Sequence, residues 1–440
     1  MDNCENICVS ILNNNFHCTV FLTGSKSESN RALIMEALSE GKVEVKNLSE
    51  AADTVTLSKI LNKEYQISKH QTLNSQFKTK NSKPKTATSQ LSTKISEINV
   101  GPAGTAMRFL TAFFTLQTGE VILTGSKRMQ ERPIGILVDA LIKLGADIQF
   151  AALNGFPPLK IKGPLLQKTS RIAVNGNISS QYISSLLLIA PKLPLGLELE
   201  IESKLTSTPY VEMTLSMLEK AGIRYDWTDK IIKIKKQEYR NSEIIVEPDW
   251  SAASYWYAIA ALSDEAEFFL PGLNAYSLQG DSRITEIMAN FGISSQFKDG
   301  GVYLKKEPKK LERLIFDFKD CPDLAQTVIV CCAALGHNAT FTGLETLKIK
   351  ETDRINALQT ELKKIGVKLH EKNLVCKLDC TGLNFPDKVF IATYDDHRMA
   401  MAFTPLALKI AQLEIENYHV VNKSYPGFWN DLKTAGFMVN

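Results

Sequence analysis

The sequence has no apolar run approaching the ~18 residues that a membrane-spanning helix needs. It also has little excess of either charge: 51 Lys and Arg stand against 48 Asp and Glu, a formal net charge of +3. The first absence excludes an α-helical span, and the second argues against a broad nucleic-acid surface. Cysteine is scarce, with eight residues. Cys331 and Cys332 lie inside the apolar run Thr327 to Leu335 and read as core. Cys376 and Cys380 have no second Cys/His pair at ligand spacing, so no metal and no cofactor is expected. Met1 to Asn6 has no basic region ahead of an apolar stretch, so no signal peptide is read. Reduced thiols in a cytoplasmic protein are the expectation. The sequence also has no G-x-x-x-x-G-K-[ST] loop, no Ser-His-Asp order and no Cys-His pairing.

What is present is a repeat. An amphipathic helix ends at Gly and a short apolar strand follows at Leu141–Ala146, Met217–Ile223, Ile287–Ile293, Leu362–Val367 and Leu432–Phe437. A degenerate first copy, Leu57 to Asn62, has Asn where Gly would stand. The intervals are about 70–80 residues, which marks an internal repeat too long for a solenoid unit. An earlier helix is expected in each period, beginning near Asn30, Gly104, Ser180, Trp250, Asp323 and Asp395. The expected architecture is α/β, with six β-α-β-α-β-β units in a chain of 440 residues, too long for one core. His70 to Glu97, rich in Lys, Thr, Ser, Gln and Asn, reads as a long mobile excursion within the first unit.

Polar clusters fall at the helix starts. The first is Gly24-Ser25-Lys26-Ser27-Glu28-Ser29-Asn30-Arg31, between an apolar strand-like run and a helix. Free backbone N–H groups and the positive end of the dipole favour an anion there. Lys adds a point charge and Arg a two-pronged fork. Gly104 to Arg108, Arg128 to Ile134 with Pro133 as a possible first helical residue, Ser179-Ser180-Gln181 and Ser207-Thr208-Pro209-Tyr210 follow. Then come Pro322-Asp323, Lys350 to Arg354, Asp395-Asp396-His397-Arg398 and Lys423 to Pro426. Ser, Thr and Asp at a helix start are ordinarily caps, and Trp250, Asp281 and Asp395 are left as such. Basic residues there oppose the dipole and need a compensating anion. Lys26, Arg31, Arg108, Arg132, Lys350, Arg354, Arg398 and Lys423 repeat that conflict, which two anionic substrates, at least one phosphorylated, would resolve. Asp323 and Glu351 are the acid–base candidates among these cations; His397 is either a structural hydrogen-bonder or a catalyst.

In their order and spacing these stretches, from Gly24-Ser25-Lys26-Ser27 through Ala103-Gly104-Thr105-Ala106-Met107-Arg108 and Lys350-Glu351-Thr352-Asp353-Arg354 to Asp396-His397-Arg398-Met399-Ala400-Met401, resemble the 3-phosphoshikimate 1-carboxyvinyltransferase (EPSP synthase) family of enolpyruvyl transferases. The resemblance runs from about Leu22 to the C-terminus and is weakest over 62–98. It implies two lobes of three units, at 24–245 and at 1–23 plus 246–440, closing on substrates in a cleft. It implies a monomer of the shikimate pathway, a target of glyphosate, without nucleic-acid or membrane partners. The implied reaction moves the enolpyruvyl group of phosphoenolpyruvate to the 5-hydroxyl of shikimate 3-phosphate and releases phosphate. By the same resemblance Ser27, Arg31, Ser179, Ser180, Ser207, Tyr210 and Lys350 hold shikimate 3-phosphate. Lys26 and Gln181 touch both substrates, and Gly104, Arg132, Arg354, Arg398 and Lys423 hold phosphoenolpyruvate. Asp323 takes the hydroxyl proton and Glu351 serves carbon 3.

Three residues depart from the family pattern: Pro102 for Asn, Phe109 for Pro, and Thr346 for an Asn that contacts the shikimate. The first two bear on affinity at the phosphoenolpyruvate loop and on glyphosate sensitivity. The rivals are the sibling transferase acting on UDP-N-acetylglucosamine and a non-catalytic sensor of phosphorylated metabolites. Thr124 to Arg132 lacks the sibling's reactive Cys, and intact Asp323 and Glu351 speak against the sensor.

Overall fold

The structure, a computed structural model, describes residues 5–62, 96–176, 179–203, 205, 207–308 and 314–440. The expected excursion at 70–97 lies outside the described residues except for Ser96 and Glu97, which begin the strand Ser96–Asn99.

Among the described residues there are five four-stranded sheets and one two-stranded sheet. Each four-stranded sheet repeats one pattern: a parallel pair, then two strands added antiparallel. Ser96–Asn99 runs parallel to Gly119–Thr124, which pairs antiparallel with Leu159–Gly163, which in turn pairs with Asp147–Phe150. Arg171–Val174, Leu197–Ile201, Ile231–Ile234 and Asp226–Thr228 repeat it. So do Leu314–Asp317, Ala339–Thr342, Val375–Asp379 and Lys368–Lys372.

The N-terminal strands complete sheets of the C-terminal half. Asn15–Thr19 runs parallel to Glu265–Pro271, and Ile7–Ser10 lies between Gln412–Ile415 and Met438–Val439. In exchange, Ser242–Ile245 runs parallel to Val43–Lys46 in the two-stranded sheet. The repeat is therefore circularly interleaved, and the chain passes twice between halves. The two passages lie side by side: Ser25 N–H donates to Glu247 O (2.8 Å) and Asp249 N–H to Thr23 O (2.9 Å), around a bridge between Gly24 and Pro248.

Each half has its own core. One apolar cluster spans 32–246; the other joins 7–22 to 250–439. At the centre of each lies a set of three packed helices, the first helices of the units: Lys26–Leu38, Gly104–Phe114 and Ser180–Ile189, and Trp250–Leu262, Ala325–Ala334 and His397–Phe403. Every residue of Ala325–Ala334 and of His397–Phe403 is buried, as an interior helix requires. The second helices are amphipathic and end as the repeat predicts: Gly145, Gly222, Gly292, Gly366 and Gly436 all have φ between 74° and 112°. The degenerate copy ends at Asn62, the last described residue of a helix over 52–62.

Candidate active site

The starts of these helices converge on one cleft. Ser25 caps the first helix, its Oγ accepting the Glu28 N–H (3.5 Å), so that Lys26 and Ser27 occupy the first turn. Lys26 Nζ lies 3.8 Å from Asp53 Oδ2 at the start of the helix over 52–62. Its backbone N–H reaches across to Asp249 Oδ2 (3.1 Å). Gly104 opens the next helix against Arg132: a Cβ there would lie 2.7 Å from Arg132 Nη1, so the close approach requires glycine. Ser179 Oγ accepts the Gln181 N–H (3.3 Å), and Gln181 Nε2 donates to Thr105 Oγ1 (3.2 Å). Ser207 takes a left-handed conformation (φ 55°) just ahead of Tyr210. Ser180 and Ser207 line the same wall.

The opposite half brings carboxylates among cations. Glu351 is gripped by Lys423 (2.9 Å), Arg354 (3.0 Å) and, from across the cleft, Arg132 (3.8 Å). Asp323 is gripped by Arg398 (2.9 Å), Arg354 (3.2 Å) and Lys350 (3.8 Å), and Tyr210 OH reaches it at 3.5 Å. Arg354 is itself 1% exposed and bonds Asp396 Oδ2 at 2.7 Å. Burial opposes ionisation of both cleft carboxyls. Against it, Arg398, Lys350 and Arg354 hold Asp323, and Lys423, Arg354 and Arg132 hold Glu351, well below the ordinary carboxylate range. Burial lowers Lys350, with Asp323 opposing. His397 is 1% exposed and has no hydrogen-bond partner on either ring nitrogen. Burial and then Lys26 and Arg398 push its pKa well down, so the imidazole is neutral and its 3.6 Å approach to Asp396 is not an ion pair.

The cleft is lined by every candidate residue except Lys423, which reaches it through Glu351 and also donates to Pro102 O (3.2 Å). Several details differ from expectation. The conflict of basic helix starts is largely answered within the chain, because Asp323, Glu351 and Asp396 already neutralise Arg354, Arg398 and Lys423. Arg31 commits most of its donors internally: Nε to Thr214 Oγ1 (2.8 Å), Nη1 to Ser27 O (2.8 Å), Nη2 to Ser184 Oγ and Tyr210 O (both 3.1 Å). Burial brings its pKa down to about 10.

Pro133 is not the first helical residue. Ile134 and Gly135 N–H both donate to Gly155 O, and the helix starts at Gly135. Asp281 does not cap; its carboxyl turns toward Ser251. Phe109 is buried beneath the Arg31 guanidinium, 5.5 Å from it, and Thr346 presents a buried Oγ1 with no partner. Residues not singled out for the site also line it: Asp53, Thr105, Tyr182 and Arg108, the last anchored on Gly104 O and Pro133 O. Asp53 looks like any acidic residue in a first helical turn, and only its spatial neighbour Lys26 distinguishes it.

Two interleaved α/β lobes that aim helix starts and paired cations at one cleft define a protein built to hold more than one anionic ligand around two carboxylates. Comparison with known proteins narrows this class. The sequence model of EPSP synthase (3-phosphoshikimate 1-carboxyvinyltransferase) matches residues 13–432, and the chain belongs to that family. A 3-phosphoshikimate 1-carboxyvinyltransferase of Bacteroides fragilis is 45% identical over 421 residues, 95% of each chain. One from Methanospirillum hungatei is 35% identical over 415 residues, 93% of this chain and 94% of the other. The solved EPSP synthase of Acinetobacter baumannii, at 20% identity, shares the fold with a TM-score of 0.74 over 99% of this chain and 100% of its own. No helix among the described residues is long and apolar enough to cross a membrane.

Proposed function

We propose that the protein transfers the enolpyruvyl group of phosphoenolpyruvate to the 5-hydroxyl of shikimate 3-phosphate, as the printed names of its relatives state for them. The observation that carries this reading is the pair of carboxylates, Asp323 and Glu351, each held among cations that two phosphorylated, carboxylated substrates can claim. Asp323 accepts the hydroxyl proton as oxygen bonds to carbon 2. Glu351, once its cations are shared with phosphoenolpyruvate, carries the proton delivered to carbon 3. The tetrahedral ketal then returns a carbon 3 proton and expels phosphate. Lys26 and Arg132 stabilise the charge that collects on the departing group.

Ser27, Arg31, Ser179, Ser180, Gln181, Ser207, Tyr210 and Lys350 form the shikimate 3-phosphate side, with Thr346 Oγ1 as a free hydrogen-bonding group beside them. Gly104, Arg132, Arg354, Arg398 and Lys423 form the phosphoenolpyruvate side. The lobes 24–245 and 1–23 plus 246–440 move as units about the paired passages at 23–25 and 247–249. Their separate cores support this, as does the thin backbone bridge between them. All side chains lining the cleft come from one chain, which supports a monomer working in the cytoplasm.

A coupled assay for phosphate release from phosphoenolpyruvate should show turnover only when shikimate 3-phosphate is added. Absence of turnover with that pair, or turnover with UDP-N-acetylglucosamine instead, would overturn the reading. Lys26→Met is expected to weaken both substrates, because Lys26 stands between the two sides beside Asp53; calorimetric titration that finds only one ligand affected removes the shared contact.

A further inference from the structure

Asp281 lies in the turn Gly280–Arg283 at the start of the second helix of the fourth unit, which contributes no substrate contact in the reading above. Its side chain caps nothing. It is 4% exposed, takes a close hydrogen bond from Ser251 Oγ on Oδ2, and leaves Oδ1 buried without a partner. The same Ser251 Oγ accepts from Arg398 Nη2 (3.2 Å). Arg398 Nη2 faces Asp323 Oδ2 in the cleft (2.9 Å), while Nη1 donates to Asp323 O (3.1 Å) and Tyr255 OH (3.4 Å). The guanidinium therefore sits between two carboxyls, one in direct contact and one behind it through a hydroxyl.

Resting on the reading above, we propose that Asp281 is a positioning residue which, through Ser251, fixes the Arg398 guanidinium where it meets Asp323 and the anion of phosphoenolpyruvate. The partnerless Oδ1 is where a neutral carboxyl carries its proton, since a buried charge with one hydroxyl donor would be poorly compensated. Burial and the nearby Asp323 push its pKa up to about 7, with Arg398 and Ser251 opposing; Asp249, Tyr210 and Cys321 also face it. Losing that proton adds negative charge behind Arg398 and weakens its pull on an incoming anion. Affinity for phosphoenolpyruvate thus declines as pH rises through this range.

Asp281→Ala frees Ser251 and should raise the KM for phosphoenolpyruvate about tenfold, the equivalent of one well-placed charged hydrogen bond. The effect on kcat and on the KM for shikimate 3-phosphate should be smaller. Asp281→Asn, a permanently neutral mimic, should recover most of that loss at about pH 6 and flatten the rise in KM toward about pH 8.5. Equal behaviour of the Ala and Asn variants, or an unchanged KM in a folded Ala variant, overturns the proposal. Should Asp281→Ala fail to fold, Ser251→Ala tests the same link and must give the same selective rise. If the wild-type protein shows no turnover, the reaction assignment has failed. The positioning role is then decided by the crystal structure of the variant: a displaced Arg398 guanidinium upholds it and an unmoved one removes it.

Discussion

Glu351→Gln is expected to lower kcat by about 10²- to 10⁴-fold, the range for loss of a proton-transferring group, while both substrates still bind. Gln keeps the shape and one acceptor oxygen facing Lys423, Arg354 and Arg132 but cannot shuttle a proton. Three cations hold Glu351 ionised, which is the wrong state for an acid. Phosphoenolpyruvate resolves this, because its phosphate and carboxylate compete for those same cations. As they let go, burial, the largest influence on Glu351, becomes unopposed and the pKa rises. Binding must therefore take up protons, and more of them as pH falls from about 8 toward 6, where the raised carboxyls of the complex are further protonated. Calorimetry in buffers of different ionisation enthalpy reads this directly: wild-type binding should show uptake, and Glu351→Gln should show less. Near-normal turnover of the variant, or binding with no proton uptake, removes Glu351 from the acid role.

The helix ends and starts were legible because their chemistry is local. A Gly after Leu-x-x-Leu, with Lys in the last turn, needs only neighbours within a few residues, and Gly145, Gly222, Gly292, Gly366 and Gly436 all adopt the left-handed conformation. The basic helix starts stood out for the same reason. Strand exchange was not legible in that way. Nothing in Asn15–Thr19 shows that it pairs with Glu265–Pro271, or in Ser242–Ile245 that it pairs with Val43–Lys46, because register at such separation is written in packing and not in period. Asp281 and Asp249 show the limit most clearly. Both are acids at helix starts and look alike in sequence, yet Asp249 Oδ1 caps Ala252 while Asp281 faces Ser251 behind Arg398. Likewise the cations were visible one by one, but not that carboxylates from the same segments already hold several of them.

Asp323→Asn is expected to cut kcat by about 10²- to 10⁴-fold and, unlike most losses in a binding cleft, to lower the KM for phosphoenolpyruvate. Asp323 occupies Arg398 at 2.9 Å, Arg354 at 3.2 Å and Lys350 at 3.8 Å, so a substrate anion must compete with it. An amide keeps the Tyr210 contact and the local shape but gives up the charge, leaving those three cations to the ligand. A ground state that binds more tightly while the transition state loses its base gives a fall in both constants, with kcat/KM reduced by less than kcat. Arg354 guards against simple collapse of the site, because Asp396 at 2.7 Å and Glu351 at 3.0 Å still hold its guanidinium. The pH profile separates the roles further. Arg398, Lys350 and Arg354 keep Asp323 ionised far into acid, so in the free enzyme the base limb should lie below the ordinary carboxylate range. In the substrate complex the limb moves up as the cations turn to the anions, so the profile of kcat should be displaced to higher pH than that of kcat/KM. A variant in which KM rises together with the loss of kcat would instead make Asp323 a strut for Arg398, and the proton would have to leave the hydroxyl by another route.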